Sequence, residues 1–377
     1  MIKYILKFIP LLISTVIAFV SLFSANAERL QIEIVEQKTR IAALEDAYKN
    51  GEVPPVDETV FFDGNLEESL AGGIKFNELR YIATHNSYQT EAVDEYKKIF
   101  KNLSELTFGL VSEKNGLFVS PTVTEQLNSG IYSLEIDIET FDRDGEISFT
   151  CMHSPTLDMT TSCYDFSLLL KEISMWSDNN PNHLPITIII EPKGLFLPLK
   201  DMKFFNLDYA LAFDEALRAG LGDKLFTPAD MMRNYESFGA MRDADDWCKV
   251  KDMLGKVLIL LHDCDVTEEY IETDSTLKSQ AMFPMLREED IDRDCASFLL
   301  MNDPEAALEL SERIISNGKF VVRTRADKFT SVSQERREQA IACGAQIVST
   351  DYPVKSDLQD GDYYVAFNGY KTIKPVK

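Results

Sequence analysis

Basic residues and histidines are both scarce in this chain. Lysine and arginine number 38 against 62 acidic residues, which gives a formal net charge of -24, and only four of the 377 residues are histidine. Nucleic acid is excluded as a main partner, because phosphate backbones bind basic faces. Long-range attraction to an anionic bilayer is disfavoured for the same reason. Most of the acidic residues are interpreted as part of a well-solvated surface.

Two patterns that mark other enzyme classes are also missing. The six cysteines include no CxxC spacing, so no zinc site is assigned. No glycine-rich phosphate loop follows the first predicted strand, which argues against a doubly wound nucleotide-binding sheet. Because the chain begins with an export signal, some cysteines are expected to pair. A disulfide between Cys151 and Cys163 is the specific hypothesis.

Residues 1–27 have the pattern of a secretory signal peptide. Lys3 and Lys7 precede an apolar run over residues 8–23, and Ala25-Asn26-Ala27 supplies a small-x-small cleavage pattern. An uncleaved membrane anchor is the alternative, because the run approaches the length that spans a bilayer. Cleavage is favoured, so the protein is expected to be secreted or periplasmic.

A helix and a linker are predicted over residues 28–74, and a larger body over residues 75–377. In the body, short strands rich in Ile, Leu and Val alternate with stretches of helical periodicity, as in parallel sheets buried on both faces. This predicts an α/β fold, a (β/α)8 TIM-type barrel with an N-terminal helical extension. The predicted strands are Leu79–Ala83, Tyr132–Thr140, Ile147–Met152, Ile186–Ile190, Val257–Leu261, Ala296–Leu300, Phe320–Arg323 and Gln346–Ser349. Helices are predicted at Phe166–Trp176, Ala210–Ala219, Pro304–Ile315 and Ser333–Ala342.

Polar side chains occur where four of these strands end. They are His85, Asn86, Glu135, Asp137, His153 and Glu191. Barrel active sites lie at the C-terminal ends of the strands, so these residues are expected to converge on one rim. Carboxylates so close together need a cation between them or must give up a proton. An oxygen-only set suits Ca²⁺ or Mg²⁺ better than Zn²⁺ or copper. A solvent-exposed face of the second strand is the alternative.

Cationic residues follow some of the same strands. Lys193 is a point charge suited to phosphate oxygens. Arg323 and Arg325 follow the seventh predicted strand, where barrels often bind phosphate. Either arginine is predicted to hold a phosphate or an inositol-type hydroxyl, or to neutralise Asp327 or Asp351, and both interpretations stay open.

Three further features receive weaker interpretations. His183 precedes a strand and is predicted to be structural. His262 lies at the expected rim, but nothing in the sequence assigns its role. Asp142-Arg143-Asp144-Gly145 is similar to the start of a calcium loop but lacks the later ligands, so a hairpin turn is predicted there.

In this order, the motifs resemble the calcium-dependent, phosphatidylinositol-specific phospholipase C enzymes of bacteria and fungi, over about Leu79 to Tyr352. The matching segments are Thr84-His85-Asn86-Ser87-Tyr88, Glu125-Gln126-Leu127, Leu134-Glu135-Ile136-Asp137, His153-Ser154-Pro155, Ile190-Glu191-Pro192-Lys193, Val322-Arg323-Thr324-Arg325-Ala326-Asp327 and Ser349-Thr350-Asp351-Tyr352-Pro353.

The resemblance implies a catalytic pair, a calcium site and a reaction. His85 and His153 would be catalytic, and the calcium ligands would be Asn86, Glu135, Asp137 and Glu191. Lys193, Arg323, Arg325 and Asp351 would bind substrate. The inositol 2-hydroxyl would attack phosphorus, releasing diacylglycerol and a cyclic inositol phosphate. His153 would serve the leaving group and His85 the phosphoryl oxygen. The implied partner is a phospholipid at a membrane surface, and no obligate protein partner is inferred.

Two other functions remain as alternatives. Glycerophosphodiester phosphodiesterase and sphingomyelinase D-like barrels also combine two histidines with metal-bound carboxylates. The glycerophosphodiesterases usually have Arg-Gly after the first histidine, whereas Asn86-Ser87 stands here. A non-catalytic, Ca²⁺-dependent lipid-binding protein on the same scaffold is the second alternative, although no catalytic residue or ligand is missing.

Overall fold

A long helix precedes a barrel of strands and helices. The computed structural model describes residues 2–114, 117–194, 198–317, 319–328, 332–355 and 363–373. Within these ranges the strands are β1 (Phe62–Asp63), β2 (Arg80–Thr84), β3 (Ser133–Arg143), β4 (Glu146–Cys151), β5 (Ile186–Pro192), β6 (Met202–Lys203), β7 (Val257–Leu261), β8 (Met282–Leu286), β9 (Phe298–Leu300), β10 (Val321–Arg325), β11 (Ile347–Thr350) and β12 (Thr372–Ile373). The α-helices are α1 (Ile2–Lys49), α2 (Leu66–Ala71), α3 (Asp94–Leu106), α4 (Val123–Asn128), α5 (Phe166–Asn179), α6 (Leu207–Leu221), α7 (Pro228–Met232), α8 (Phe238–Asp243), α9 (Thr267–Thr273), α10 (Pro304–Ser311) and α11 (Gln334–Ala342).

The barrel strands pair in parallel in the order β2, β11, β10, β9, β8, β7, β5 and β3. β3 and β2 then lie side by side, and the Ser87 N–H donates to Glu135 O at 2.8 Å where the ring closes. The predicted TIM-type barrel with an N-terminal helix is therefore confirmed. Because all eight strands run in the same direction, their C-terminal ends lie together at one rim of the barrel.

The apolar runs of the sequence form the barrel wall. All five residues of β7 are buried, as are the first five of β5, because one face of each strand fills the interior while the other packs under the surrounding helices. The polar residues at the end of β5 come directly after this run. The core thus fixes the position of the rim from which the site is built.

Two strand predictions were wrong: one barrel strand was missed, and one strand outside the barrel was counted as part of it. The predicted number of barrel strands was therefore still eight. β8 was missed because Pro284 lies inside it, and proline cannot donate a hydrogen bond to a sheet. β4 was counted as a barrel strand but pairs antiparallel with β3. The predicted hairpin turn between β3 and β4 is confirmed, with Asp144 and Gly145 at positive φ and Asp142 Oδ1 accepting from Gly145 N at 2.9 Å. β10 and β11 are therefore still the seventh and eighth barrel strands.

The predicted disulfide is not formed. All six cysteines are free thiols in the structure. Cys151, at the end of β4, and Cys163, before α5, are both fully buried. Burial raises the pKa of both thiols, that of Cys163 to about 12, so both remain protonated and unreactive.

Candidate active site

The turn after β2 carries the first histidine and is held by a dense hydrogen-bond network. Ser87 Oγ lies 2.6 Å from Thr84 Oγ1 and accepts from Glu135 N at 2.9 Å. Gln126 Nε2 donates to Ser87 O at 2.6 Å, while its Oε1 accepts from Thr84 Oγ1 at 2.7 Å. These contacts hold Asn86 in the left-handed region, at φ +43°, a conformation that asparagine adopts more easily than most residues.

Three carboxylates meet beside this turn. Glu135 and Asp137 point to one side of β3, and Asp137 lies opposite Glu191 in the register of β3 and β5. One oxygen from each of the three residues lies within 4.8 Å of the others. Glu135 and Asp137 are fully buried. The predicted acidic cluster is therefore assembled at the rim, and the solvent-facing alternative for this strand does not apply.

Arg323 neutralises the first carboxylate. Its Nη2 donates to Glu135 Oε2 and, at 3.2 Å, to Ser349 Oγ, while its Nη1 contacts Asn302 Oδ1. The Arg323 side chain is only 1% exposed. Burial raises the pKa of Glu135, but Arg323 and then His85 outweigh it, so the net pKa is lowered.

Lys193 links the other two carboxylates. Its Nζ lies 3.0 Å from Asp137 Oδ2 and 2.8 Å from Glu191 Oε1, and the Tyr88 hydroxyl donates to Asp137 Oδ2 at 2.7 Å. Burial raises the pKa of Asp137 to about 8 despite Lys193. Burial also opposes ionisation of Glu191, but Lys193 and His262 lower its pKa to about 2.

Several oxygens of this cluster have no hydrogen-bond partner. Among the described residues, Asn86 Oδ1 and Asp137 Oδ1 are buried and unpartnered, and so are both carboxylate oxygens of Glu139. A buried acceptor without a donor is costly, whereas a hard cation satisfies several such oxygens at once. Glu135, Asp137 and Glu191 therefore fit a bound Ca²⁺ in both chemistry and position, and the unpartnered oxygen of Asn86 fits it in chemistry.

His85 lies between an acid and an arginine. Its Nδ1 is 2.7 Å from Asp351 Oδ1, and its Nε2 is 3.3 Å from Arg325 Nη1 and 3.6 Å from Glu135 Oε1. Burial and then the charge of Arg325 lower the pKa of His85 well below its usual value. The ring is therefore neutral at rest and oriented by Asp351.

His153 follows β4 and faces the same charges. Burial and then Lys193 lower its pKa, and Asp158, Glu191 and Asp351 partly offset this. Lys193 also lowers the pKa of His85, so both rings lie within electrostatic range of one ammonium group. The structure thus brings the two predicted imidazoles and the carboxylates to the same end of the barrel.

The other two histidines lie at different places. His183 precedes β5 at the opposite end of the barrel, with Nε2 2.8 Å from Ser177 Oγ and Nδ1 2.6 Å from Leu184 O, which agrees with a structural role. His262 follows β7 at the rim, with its Nδ1 2.9 Å from Asp263 O. It lies close enough to Glu135 and Glu191 to contribute to the lowering of their pKa values.

Sequence reasoning missed several supporting residues. Tyr88 and Gln126 lay inside the quoted motifs, but nothing in the sequence indicated that they hold Asp137 and the β2 turn. For Arg323 the sequence left open a substrate contact or a carboxylate partner, and in the structure it contacts Glu135. Asp351, to which the resemblance assigns a substrate role, contacts His85. These partners come from strands far apart in the chain, and only the closed barrel brings them together.

Comparison with known proteins agrees with this geometry. The sequence model of the family described as "Phosphoinositide phospholipase C, Ca2+-dependent" matches residues 139–375, a match that includes His153 and Glu191 and begins just after Asp137. No curated protein matches the chain. Among solved structures, the calcium-dependent phosphoinositol-specific phospholipase C from Pseudomonas sp. is 18% identical with a TM-score of 0.56, covering 85% of this chain and 100% of that one. The Ca²⁺-dependent phosphatidylinositol-specific enzyme from Streptomyces antibioticus is 18% identical with a TM-score of 0.53, covering 74% and 95%. These structures share the fold, and the family match extends over more than half of the chain. The chain belongs to the Ca²⁺-dependent phosphoinositide phospholipase C family, whose members are enzymes that use Ca²⁺.

Proposed function

We propose that this protein is an exported phosphodiesterase that cleaves phosphatidylinositol into diacylglycerol and a cyclic inositol phosphate. The observation that carries the proposal is a cluster of three carboxylates, with oxygens within 4.8 Å of one another, at the rim that also carries His85 and His153, with Asn86 Oδ1 and Asp137 Oδ1 buried and unpartnered. The family match supports the reaction class.

The metal would be held by Asn86, Glu135, Asp137 and Glu191. Ca²⁺ bound to these residues would lower the pKa of the attacking hydroxyl and neutralise phosphoryl oxygens. Arg323 keeps Glu135 ionised and in place, so we assign Arg323 a positioning role instead of the substrate contact expected from the sequence.

His85 is suited to accept a proton. With Nδ1 donating to Asp351, the neutral ring presents the lone pair of Nε2. Its strongly lowered pKa keeps Nε2 unprotonated, and the contact of Nε2 with Arg325 Nη1 is long, at 3.3 Å. We therefore assign Nε2 as the acceptor of the proton of the inositol 2-hydroxyl, which differs from the phosphoryl-oxygen role expected from the sequence.

His153 is the better proton donor of the pair. Three carboxylates, Asp158, Glu191 and Asp351, favour its charged form against burial and Lys193, whereas His85 has one such carboxylate, Glu135, against three basic residues. Groups whose environments push their pKa values apart are suited to opposite acid and base roles. His153 would protonate the glycerol oxygen as its bond to phosphorus breaks.

Two partly exposed cations are suited to the phosphate, although each also contacts carboxylates. Arg325 is 16% exposed, its Nη2 lies 3.5 Å from Asp351 Oδ2 and 3.6 Å from Asp327 Oδ1, and its Nη1 lies 3.3 Å from His85 Nε2, beside the position assigned to the attacking hydroxyl. Lys193 is 18% exposed and adjoins the metal ligands. Both would bind phosphoryl oxygens, as their charge and position allow.

Product analysis tests the proposal. Phosphatidylinositol in detergent micelles is incubated with the protein in Ca²⁺ or in chelator, and the products are identified by phosphorus NMR and lipid chromatography. The expected result is diacylglycerol and a cyclic phosphodiester in Ca²⁺ only. A phosphorylated lipid product would instead support the sphingomyelinase D-like alternative. Ca²⁺-dependent lipid binding without any product would support the non-catalytic one.

A further inference from the structure

The first half of α1 exposes an unusually large apolar face. No Asp, Glu, Lys or Arg occurs between Lys7 and Glu28, and an 18-residue window here has a mean hydropathy of 2.3 with only 11% of it buried. Val20 is 76% exposed. The other exposed apolar side chains of this face are Ile9, Leu12, Ile13, Val16, Ile17, Phe19 and Phe23. Apolar patches of this kind in soluble proteins mark sites of interaction.

The loop after α3 extends the same apolar surface. Phe108 is 82% exposed and Leu110 is 92% exposed. The ring of Phe108 lies edge-on to that of Phe8, with 5.9 Å between their centroids, so the loop and the start of α1 form one surface. Lys98 and Lys101 are exposed on the adjoining α3.

The opposite side of α1 is packed against the catalytic domain. Ala18 and Leu22 are buried against Tyr96 and Ile99 of α3. The Asn102 side-chain amide donates to Ser14 Oγ at 3.1 Å. The segment predicted to be removed as a signal peptide is therefore part of the fold.

The predicted cleavage site after Ala27 lies inside unbroken helix. Asn26 is 1% exposed and donates to Thr156 O at 3.3 Å and to Leu157 O at 3.1 Å, in the loop that follows His153. Cleavage after Ala27 would remove Asn26 and these two contacts from the folded protein.

The second half of α1 continues along the same loop. Glu33 Oε2 accepts from Thr161 N at 2.8 Å, and Gln37 exchanges two hydrogen bonds with the backbone of Asp165, at 2.9 and 3.0 Å. Arg40 donates to Ser162 O at 2.7 Å. One continuous helix thus connects the apolar face to the loop that carries His153.

We propose that α1 is retained in the functional protein, and that its apolar face is embedded with Phe108 and Leu110 in the acyl layer of a phospholipid bilayer. The catalytic rim is then held at the membrane that contains its lipid, a consequence that rests on the proposed function. Three observations favour lipid over a second copy of the chain. The net charge of -24 repels both a second copy and an anionic membrane, so attachment must be apolar. The exposed lysines belong to α3, the helix that packs on α1, and are suited to headgroup phosphates. The apolar face is long and free of charge, as in lipid-embedded helices.

Vesicle binding of the full chain tests the attachment. The protein is mixed with phosphatidylcholine vesicles in chelator, which excludes both Ca²⁺ and the proposed substrate, and is then floated in high salt. The full chain is expected to float with the vesicles. Val20→Asp should lower the bound fraction roughly tenfold or more, because a charge in the acyl layer is costly. Val35→Asp, the same change at a residue 62% exposed in the second half of α1 and outside the charge-free run, should bind as the wild type does.

A second variant removes the contribution of the loop. Phe108→Ser combined with Leu110→Ser should lower the bound fraction, and hydrolysis of phosphatidylinositol in detergent micelles should be unchanged in every variant. That micelle assay also separates this inference from the proposed function, because it requires no attachment to a bilayer.

The intact mass of the protein exported by a host cell provides the decisive outcome. The full-length mass, together with the effect of Val20→Asp, supports the inference. A mass lacking the first 27 residues overturns it. Equal binding of Val20→Asp and wild type also overturns it, as does a dimer that buries this face and leaves vesicles unbound.

Discussion

Asp137 and Asp214 are both buried aspartates of one barrel, yet their surroundings are opposite. Asp214, on α6, accepts from the Tyr270 hydroxyl at 2.8 and 2.9 Å and from Ala281 N at 3.0 Å. Asp137 Oδ1 has no hydrogen-bond partner among the described residues. Burial raises both pKa values, that of Asp214 to about 6 and that of Asp137 to about 8. A carboxylate whose hydrogen bonds are complete serves the fold, whereas one left incomplete at a strand end is available to a ligand.

The same contrast separates His153, which lies at the site, from His183, which is hydrogen-bonded within the fold. It predicts the largest effect of a substitution on turnover. His153→Ala should lower turnover by about 10²- to 10⁴-fold, because it removes the proton donor, while leaving the melting temperature nearly unchanged. Initial rates on micellar phosphatidylinositol and a thermal melt measure the two effects. His183→Ala is the control: it breaks the contacts with Ser177 and Leu184 and should cost stability of about 1–3 kcal/mol with little loss of activity per folded molecule. Undiminished turnover by His153→Ala would refute the assignment.

The second prediction concerns the ion pair beneath the site. Arg323→Met leaves Glu135 buried without its counter-ion and should lower the free energy of unfolding in chelator by about 3–5 kcal/mol. Denaturant titration measures this, and saturating Ca²⁺ should restore part of the loss. Arg293→Met, which breaks an exposed pair with Glu268, should cost at most about 1 kcal/mol. Similar losses of unfolding free energy in the two variants would mean that Arg323 does not stabilise the buried charge of Glu135.

A matched pair of Asp→Asn variants tests the opening comparison directly. Asp137→Asn should weaken Ca²⁺ binding by about 100-fold or more, without lowering stability in chelator. Asp214→Asn should leave Ca²⁺ binding unchanged and cost about 1–2 kcal/mol, because one donor loses its acceptor. Calorimetric Ca²⁺ titration and denaturant unfolding check both variants. If the two exchanged their effects, the distinction drawn from hydrogen-bond completeness would be wrong.

The smallest predicted effect is a proton released by metal binding. Since the pKa of Asp137 is raised to about 8, the metal-free site carries a proton at about pH 7, and Ca²⁺ should displace about one proton there. Calorimetry in two buffers of different ionisation enthalpy measures the release.

The raised pKa of Asp137 also determines how the stability of the metal-free protein depends on pH. The native state holds this proton above the ordinary pKa of 3.8, so the metal-free protein should lose stability as the pH rises from about 4 to about 8. The increase in melting temperature caused by Ca²⁺ should therefore grow with pH over that range. Asp137→Asn should abolish both the proton release and this growth, and an unchanged response would contradict the account.

The sequence predicted the site better than the contacts that support it. Glu135 and Asp137 could be placed on one side of a strand because side chains alternate, and Glu191 could be placed at a rim because it ends an apolar run. The position of Asn86 after His85 needed only the end of β2. These inferences use only the residues within and just after each strand, so they do not depend on how distant parts of the chain pack.

The supporting contacts depend on distances that no local pattern contains. Arg323 meets Glu135 because β10 and β3 face the same barrel interior, although 188 positions separate the two residues. Asp351 meets His85 because β11 and β2 are neighbours. Pro284 concealed a strand that the closed barrel nevertheless requires. The apolar N-terminus matches a signal peptide in composition, and the membrane role proposed for it rests on its packing on α3, which no local pattern contains.

A crystal structure grown in CaCl₂, with anomalous diffraction to identify the ion, tests the central claim most directly. The account predicts one Ca²⁺ at about 2.3–2.6 Å from oxygens of Asn86, Glu135, Asp137 and Glu191, with Asn86 Oδ1 and Asp137 Oδ1 among its ligands. An ion bound elsewhere, with these two oxygens still unliganded, would contradict it.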